Sequence, residues 1–146
     1  MSKRPQSSLL PVLRLYILDE IVSLAKEKEK MLASGLWPFI RQRPLDVIAD
    51  PANNPKAIFV SAFDSSPLAP DFDFVLHGKN KEFQVGLDAL TKLTSGTVHL
   101  TINGKLPSDS TFTEAKGVQI NTMIGKHPAG NVGTQIHHVD PINKGE

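Results

Sequence analysis

Cysteine is absent from this chain of 146 residues. Disulfides, thiolate metal sites, iron–sulfur ligation and a cysteine nucleophile are therefore excluded within it. An excess of charge of one sign is also missing, because 16 basic and 15 acidic residues give a formal net charge of +1. Nucleic-acid binding needs a clustered basic face, so this balance predicts no nucleic-acid partner.

A long hydrophobic run is lacking as well. The most apolar run, LLPVLRLYIL at residues 9–18, is about half as long as the roughly 20 residues of a membrane-spanning helix, and Arg14 interrupts it. No small-residue cleavage site follows, so the run is a poor secretory signal. We therefore expect membrane contact to be peripheral or made through partners.

Hydrophobic periodicity predicts a first helix from Val12 to about Ser34. Gly35 then stands where a left-handed residue commonly ends a helix. Within the helix, the run KEKEK at residues 26–30 alternates in sign, which is typical of a solvated helix face. The next segment, residues 37–55, carries four prolines and is predicted to be an ordered loop with short extended pieces.

The remaining segments alternate between strand and helix signals. A short apolar run bounded by turn residues predicts a strand at 56–63, buried on both faces. After it we predict a loop at 64–73, a helix at 81–96 ended by Gly96, a strand at 97–102, a connection with room for one helical turn, and a strand at 118–124. The apolar side of the predicted helix is formed by Phe83, Leu87, Leu90 and Leu93.

This order predicts a small α/β domain, with a mostly parallel sheet, right-handed crossovers and flanking helices. One domain spans the whole chain, with an N-terminal helical segment at 1–34 and a core at 35–146. Ligands of parallel sheets lie beyond the carboxyl ends of the strands. The loops after Phe63, Ile102 and Ile124 are therefore the predicted ligand edge.

Histidines cluster near the end of the chain, in GKHPAGNVGTQIHHVDP at residues 125–141. Together with Asp140, the histidines 127, 137 and 138 are the candidate metal ligands. If the segment is extended, the adjacent His137 and His138 point to opposite faces and cannot easily share one ion. Neither H-E-x-x-H spacing nor a glycine pattern for nucleotides is present. We predict tight turns and hydrogen-bonding histidines rather than a metal site, and a nest of backbone amides for an anion stays open.

Three residues at the predicted ligand edge are candidates for ligand contact. Asp64 and Ser65 follow the strand at 56–63, and His127 follows the last strand. The Asp64 carboxylate either accepts hydrogen bonds from a ligand or forms an Asx-turn in its own loop. The turn is the favoured interpretation.

The segment GLWPFIRQRP, residues 35–44, places aromatic rings beside arginines in a loop restrained by two prolines. Trp37 and Phe39 with Arg41 and Arg43 suit a planar ligand with polar carbonyls, such as a quinone or a flavin. In the alternative interpretation, the two rings fill the core and the arginines pair with acidic residues.

Three segments together resemble the A subunit of the sodium-translocating NADH:quinone oxidoreductase. They are ASGLWPFIRQRP, KAIFVSAFDSSPLAPDFDFVL and GKHPAGNVGTQIHHVDPINKGE, in that protein's order and approximate spacing, with FQVGLDALTKL between them. The resemblance covers about Ala33 to Glu146 and identifies this stretch as the central domain of a longer protein. It implies a Rossmann-like fold related to the NADH-binding flavoprotein of respiratory complex I and to the C subunit of Rnf-type complexes.

The resemblance also implies a ligand. The flavoprotein relatives hold flavin mononucleotide with a glycine-rich loop and an acidic loop, whereas here Trp37 and Phe39 occupy the first loop and Asp64 is the remainder of the second. No tightly bound cofactor and no metal are therefore expected. Ubiquinone is the implied substrate, with Trp37 and Phe39 at its ring or tail and Arg41 or Arg43 at a carbonyl or a partner subunit.

Catalytic motifs such as G-x-S-x-G or a carboxylate pair are absent, so no catalytic residue is predicted. The resemblance implies a non-catalytic domain of a respiratory complex, peripheral on the cytoplasmic side of the bacterial inner membrane. Its partners are the other subunits, chiefly those in the membrane, and these carry NADH, flavins and iron–sulfur. The alternatives are a flavin- or nucleotide-binding domain and an architectural module without a ligand.

Overall fold

A computed structural model describes residues 24–105 and 108–144 of the chain. Short helices alternate with strands along most of this length. The elements are α1 (Leu24–Ala33), a 3-10 helix (Trp37–Phe39), β1 (Arg41–Gln42), β2 (Val47–Ile48), β3 (Ala57–Ser61), α2 (Phe72–Leu76), α3 (Asn80–Thr91), β4 (Thr97–Asn103), α4 (Ser110–Thr113), β5 (Gln119–Met123) and α5 (Val132–Val139).

The main sheet is three-stranded and parallel, in the order β3-β4-β5. In its register, Ser61 is the partner of Thr101, and Thr101 is the partner of Asn121. Helices α2 and α3 connect β3 to β4, and α4 connects β4 to β5. The predicted α/β class, parallel sheet and flanking helices are confirmed.

The two faces of the sheet differ in chemistry. On one face, Leu100 and Ile102 of β4 pack with Phe112 of α4 to form the main core. Phe83 of α3 meets Phe112 edge to face, with ring centroids 5.2 Å apart. The side chain of Leu87 on α3 is buried, as predicted from periodicity.

The predicted strand at 56–63 is present as β3, but the prediction that it is buried on both faces is wrong. All five residues of β3 are only half-buried, because β3 is at the edge of the sheet. The central strand is β4, in which five consecutive residues, 98–102, are buried. An apolar run of this length therefore did not distinguish an edge strand from a central one.

The end of the first helix is confirmed. Gly35 has φ +72°, and its backbone N–H donates to Leu32 O across 3.1 Å. The N–H of Leu36 donates to Met31 O across 3.0 Å, so the left-handed glycine closes the helix with two bonds. The part of the predicted helix at residues 12–23 lies outside the described residues.

Two other boundaries differ from prediction. Helix α3 ends at Thr91 rather than at Gly96. A Cβ on Gly96 would come within 1.8 Å of the Lys56 carbonyl oxygen, so this glycine permits close approach of two backbones. Helix α2 begins inside the loop predicted at 64–73, where the Asp71 side chain accepts hydrogen bonds from the first backbone N–H groups.

Across residues 24–105 and 108–144, no helix combines the length and the apolar character needed to cross a bilayer.

Candidate functional site

A short hairpin carries the aromatic and arginine residues singled out in the sequence. Strands β1 and β2 pair antiparallel, with Arg41 opposite Ile48 and Gln42 opposite Val47. The 3-10 helix at Trp37–Phe39 leads into β1. The prediction of an ordered loop with short extended pieces is confirmed for this segment.

Trp37 lies in the core beneath the hairpin. Only 6% of it is exposed, and it packs with Met31 of α1 and Leu93. Its indole Nε1–H donates to the Ala49 carbonyl oxygen across 2.6 Å. The alternative interpretation, in which the tryptophan fills the core, therefore describes the position of this side chain.

Phe39 is placed in the opposite way, with 76% of its surface exposed. Three more apolar side chains of the hairpin are exposed: Leu45 at 78%, Ile48 at 52% and Val47 at 47%. We call Phe39, Leu45, Val47 and Ile48 the hairpin patch. Val47 and Ile48 are adjacent in β2 and project to opposite faces of the hairpin, so these exposed apolar side chains are distributed over both of its faces.

Arg41 and Arg43 converge on one carboxylate of the hairpin. Arg41 Nε lies 3.4 Å, and Arg43 Nη2 3.5 Å, from the same Asp46 oxygen, Oδ1. The Arg41 guanidinium also donates to the Asp46 carbonyl oxygen. Two cations sharing one anion leave a net positive charge beside the hairpin patch, and this charge suits a ligand carbonyl or an acidic group.

At the carboxyl end of β3, Asp64 forms the predicted Asx-turn. Its Oδ1 accepts a hydrogen bond from the Ser66 backbone N–H across 2.8 Å. Hydrogen bonds from the Ser66 N–H and hydroxyl, and then the charge of His127, hold the pKa of the Asp64 carboxyl below its usual value. The carboxylate is therefore charged over a wide pH range.

The loops after β3 and β5 meet at the same edge of the sheet. Ser65 Oγ accepts a hydrogen bond from the Gly130 N–H across 2.8 Å and lies 3.4 Å from His127 Nδ1. A Cβ on Gly130 would come within 2.2 Å of the Ser65 backbone nitrogen, so only glycine fits there. The structure thus brings together Asp64, Ser65 and His127, which the sequence placed at one edge.

The second half of the segment at 125–141 is a helix, which the prediction of tight turns did not include. The Asn131 side chain accepts a hydrogen bond from the Gly133 N–H across 2.9 Å and caps α5. His137 and His138 lie in its last turn, with ring centroids 5.4 Å apart. Turns occupy only residues 126–131, before the helix.

Two polar side chains at the C-terminal end of α5 make structural contacts. His138 Nδ1 lies 2.8 Å from the Thr134 carbonyl oxygen, and Asp140 pairs with Lys56 Nζ across 3.0 Å. Within the described parts of the chain, no group of three or more histidine and carboxylate side chains is arranged to hold a metal ion.

The hairpin adjoins the first turn of α5. A Cβ on Gly133 would lie 3.9 Å from Arg43 Nη1. The positive end of the α5 dipole and the Arg43 guanidinium therefore face the same region. Sequence reasoning treated the hairpin and the ligand edge as separate candidates, and the fold makes them neighbours.

One polar cluster was missed by sequence reasoning. His77 Nδ1 lies 2.6 Å from Asp109 Oδ2, in an open depression lined also by Asp73, Phe74 and Ser108. Asp109 caps α4 by accepting from the Thr111 N–H and hydroxyl. These bonds, followed by that of His77, lower the pKa of the Asp109 carboxyl to about 2. Asp109, immediately before Ser110, was the available signal, because aspartate favours the N-cap of a helix.

Comparison with known proteins matches residues 22–146 to the family described as the NqrA second alpha/beta domain. The match begins earlier than the expected start near Ala33 and includes α1. The A subunit of the Na(+)-translocating NADH-quinone reductase of Rhodopirellula baltica is 40% identical over 126 residues, which are 84% of this chain and 27% of that protein.

Two further relatives bear the same name. The protein of Yersinia pseudotuberculosis is 38% identical over 132 residues, covering 88% of this chain and 29% of the relative. That of Pseudomonas aeruginosa is 35% identical over 133 residues, covering 90% and 29%. The chain therefore spans less than a third of the length of the curated relatives it matches.

Proposed function

This chain belongs to the family of the NqrA second alpha/beta domain, and on that premise we propose that it is a non-catalytic domain of the A subunit of a sodium-translocating NADH-quinone reductase. In this proposal the domain contacts ubiquinone and docks to other subunits, chiefly those in the membrane. The complex is an oxidoreductase of the bacterial inner membrane, and the domain is peripheral on its cytoplasmic side. NADH, flavins and iron–sulfur are carried by other subunits.

The hairpin is the observation that carries the proposal. Its four exposed apolar side chains occur within ten residues that also carry two arginines sharing a single carboxylate, and Ile48 is the register partner of Arg41. A quinone has an apolar ring and tail together with carbonyl oxygens, which matches an apolar surface flanked by hydrogen-bond donors. A flat ring also stacks on guanidinium groups.

Each hairpin residue has a role in this proposal. Phe39 contacts the quinone ring or tail, since its side chain is open to solvent. Arg41 or Arg43 donates to a quinone carbonyl or to an acidic group of a partner subunit. Trp37 was predicted to touch the quinone, and its burial and its bond to Ala49 favour an anchoring role beneath the hairpin instead.

The proposal keeps the expectation of a fold related to the NADH-binding flavoprotein of complex I. The small parallel sheet with helices is compatible with that relationship. It also keeps the expectation that this domain holds no flavin, because bulky Trp37 and Phe39 occupy the loop in which those relatives bring backbone close to phosphate.

A titration of the 146-residue chain with a short-chain ubiquinone, followed by backbone amide NMR shifts, tests the proposal. Saturable shifts confined to residues 36–48 are expected. Arg41→Ala with Arg43→Ala, and separately Phe39→Ala, should each weaken the apparent affinity about tenfold, equivalent to losing one charged hydrogen bond or one ring contact.

Phe74→Ala is the matched control, since Phe74 is 83% exposed on α2. It should leave the quinone affinity unchanged. Unaltered affinity in both hairpin variants, or shifts of equal size throughout the chain, would remove the quinone role. If the hairpin variants fail to assemble with the other subunits, while the chain binds no quinone, the architectural module is favoured.

A second candidate function is binding of a flavin or nucleotide phosphate at the carboxyl edge. The position of Arg43 beside the first turn of α5 favours it, because both present positive charge to one region. Titration with flavin mononucleotide distinguishes the two candidates. Saturable shifts at residues 64–66 and 127–134 would support this function, and their absence at millimolar flavin would eliminate it.

A further inference from the structure

The loop between β3 and α2 contains a turn with an unusual residue at its tip. The backbone N–H of Ala69 donates to the Ser66 carbonyl oxygen across 3.1 Å and closes a four-residue turn. The ring of Pro67 fixes a negative φ at the second position, and Leu68 has φ +63° at the third. This combination is typical of a type II turn, whose third position ordinarily holds glycine or asparagine.

The conformation of Leu68 is unfavourable and is not offset by packing. In left-handed backbone the Cβ comes close to the following carbonyl oxygen, and leucine, unlike asparagine, has no polar group to form a compensating local hydrogen bond. The Leu68 side chain is fully exposed, so it gains no contact with the described chain. An exposed leucine is ordinary by itself, but strained backbone of this kind is concentrated at functional sites.

Both ends of this loop are fixed. Before the turn, the Ser66 N–H donates to Asp64 Oδ1, and the Gly130 N–H donates to Ser65 Oγ, each across 2.8 Å. After the turn, the Asp71 side chain accepts from the first backbone N–H groups of α2. The leucine is therefore presented in a defined position, and docking of the turn loses little conformational entropy.

The loop that presents Leu68 is acidic. Residues 64–73 include aspartates at 64, 71 and 73, and neither lysine nor arginine. The Cα atoms of Asp64 and Asp71 lie at most about 14 Å from that of Leu68, because an extended chain spans no more than about 3.6 Å per residue. Among the described residues, none of the three aspartates pairs with a lysine or an arginine.

We propose that Leu68 is an anchor that inserts into an apolar pocket of a partner subunit, and that basic residues around this pocket face the aspartates of the loop. The inference rests on the proposed docking to other subunits of the reductase and identifies one point of that contact. Burial of the leucine side chain stabilises the complex, and the opposite charges orient the two surfaces.

A protein pocket suits this loop better than a lipid surface does. The cytoplasmic surface of a membrane is negatively charged, so it attracts lysine and arginine and repels aspartate. Segments that lie on membranes combine a broad apolar face with basic residues, whereas this loop offers one leucine among acidic residues.

Binding of the 146-residue chain to purified reductase that lacks its A subunit tests the proposal. Leu68→Asn removes the apolar anchor and keeps the turn, because asparagine adopts left-handed backbone readily. This variant should bind about tenfold more weakly, while its melting temperature stays at or above that of the parent chain. Leu32→Gln is the matched control, since Leu32 is an exposed leucine on α1, and it should leave the affinity unchanged.

The outcomes separate this inference from the proposed function. If the parent chain does not bind the other subunits, the proposed docking fails and the anchor fails with it. If the parent chain binds and Leu68→Asn binds equally well, only the anchor is overturned. A melting temperature several degrees lower in Leu68→Asn would show that the leucine packs within its own fold, and this result also overturns the anchor.

Two further measurements test the chemistry of the partner. Raising the NaCl concentration from about 50 to about 500 mM should weaken binding of the parent chain several-fold, because salt screens opposite charges. Unchanged affinity would contradict the basic residues around the pocket. Vesicles of phosphatidylethanolamine and phosphatidylglycerol should not bind the chain, and binding that is lost in Leu68→Asn would assign the leucine to the membrane and overturn the protein pocket.

Discussion

The indole Nε1–H of Trp37 donates to the carbonyl oxygen of Ala49 across 2.6 Å and thereby joins the two ends of the hairpin. The backbone of Ala49 also donates to Ile40 O across 3.0 Å. One buried ring therefore sets the position of a surface hairpin. Trp37 and Phe39 are only two residues apart, yet Trp37 is buried and Phe39 is exposed. Trp37 anchors the hairpin from below, whereas Phe39 lies on its surface.

Trp37→Ala should lower the free energy of unfolding by about 3–5 kcal/mol, the usual cost of truncating a large buried aromatic side chain. The reason is a cavity beside Met31 and Leu93, together with an unpaired Ala49 carbonyl. Urea unfolding of the chain measures the change. Phe39→Ala is the control and should stay within about 0.5 kcal/mol, since its ring is exposed. Equal losses in the two variants would contradict this account.

Gly130→Ala should destabilise the meeting point of the two loops. The added Cβ would come within 2.2 Å of the Ser65 nitrogen, and backbone does not move away easily. We expect a loss of about 1–3 kcal/mol in unfolding free energy, as for other overpacked sites.

Gly86→Ala provides the matched control for this prediction. A Cβ on Gly86 meets nothing within 4 Å, and Gly86 lies inside helix α3. Alanine there should stabilise the chain by up to about 1 kcal/mol through helix propensity. A Gly130→Ala chain as stable as the parent would show that the loops are not in contact in solution.

His99 should make stability depend on pH. It is buried, stacked on Phe59 with ring centroids 4.6 Å apart, and its Nδ1 lies 3.3 Å from Asn121 Nδ2. Burial lowers the pKa of His99 below 6.5, and the charge of Asp140 opposes this shift. Because the amide nitrogen donates, Nδ1 accepts and the ring is neutral.

The sign of the effect follows from linkage. Between the folded pKa and 6.5 the unfolded chain binds more protons, so stability is full above about pH 6.5 and falls as the pH is lowered through the folded pKa. Urea unfolding at several pH values measures the slope. His99→Gln should flatten it, whereas His138→Gln, at an exposed position, should not. A slope unchanged in His99→Gln would assign it to another group.

Asp109 should make stability depend on pH in a more acidic range than His99 does. Its pKa is lowered from 3.8 to about 2 by bonds from Thr111 and then from His77. The stabilisation is therefore present above about pH 4 and is lost as the pH falls towards 2. Carboxyl carbon NMR titration measures the pKa. Thr111→Val should raise it more than His77→Gln does, and the reverse order would contradict the assigned causes.

Local signals in the sequence determined much of the fold. Spacing of Phe83, Leu87 and Leu90 specified the apolar side of α3, since a helix repeats every 3.6 residues whatever surrounds it. Gly35 marked the end of α1 because a left-handed residue favours glycine. The alternation of strands and helices likewise determined the parallel sheet, because parallel neighbours require long crossovers.

Other features were decided only by the tertiary structure. Helix α5 was not recognised, because the glycines and polar residues before it carry turn signals and its eight residues have a single buried apolar side chain, Ile136. The burial of Trp37, the exposure of Phe39 and the half-exposed state of β3 depend on which distant elements pack against them. The order of the strands predicted that Ser65 and His127 share an edge, but their contact exists because Gly130 lets two loops from opposite sides of the sheet approach each other.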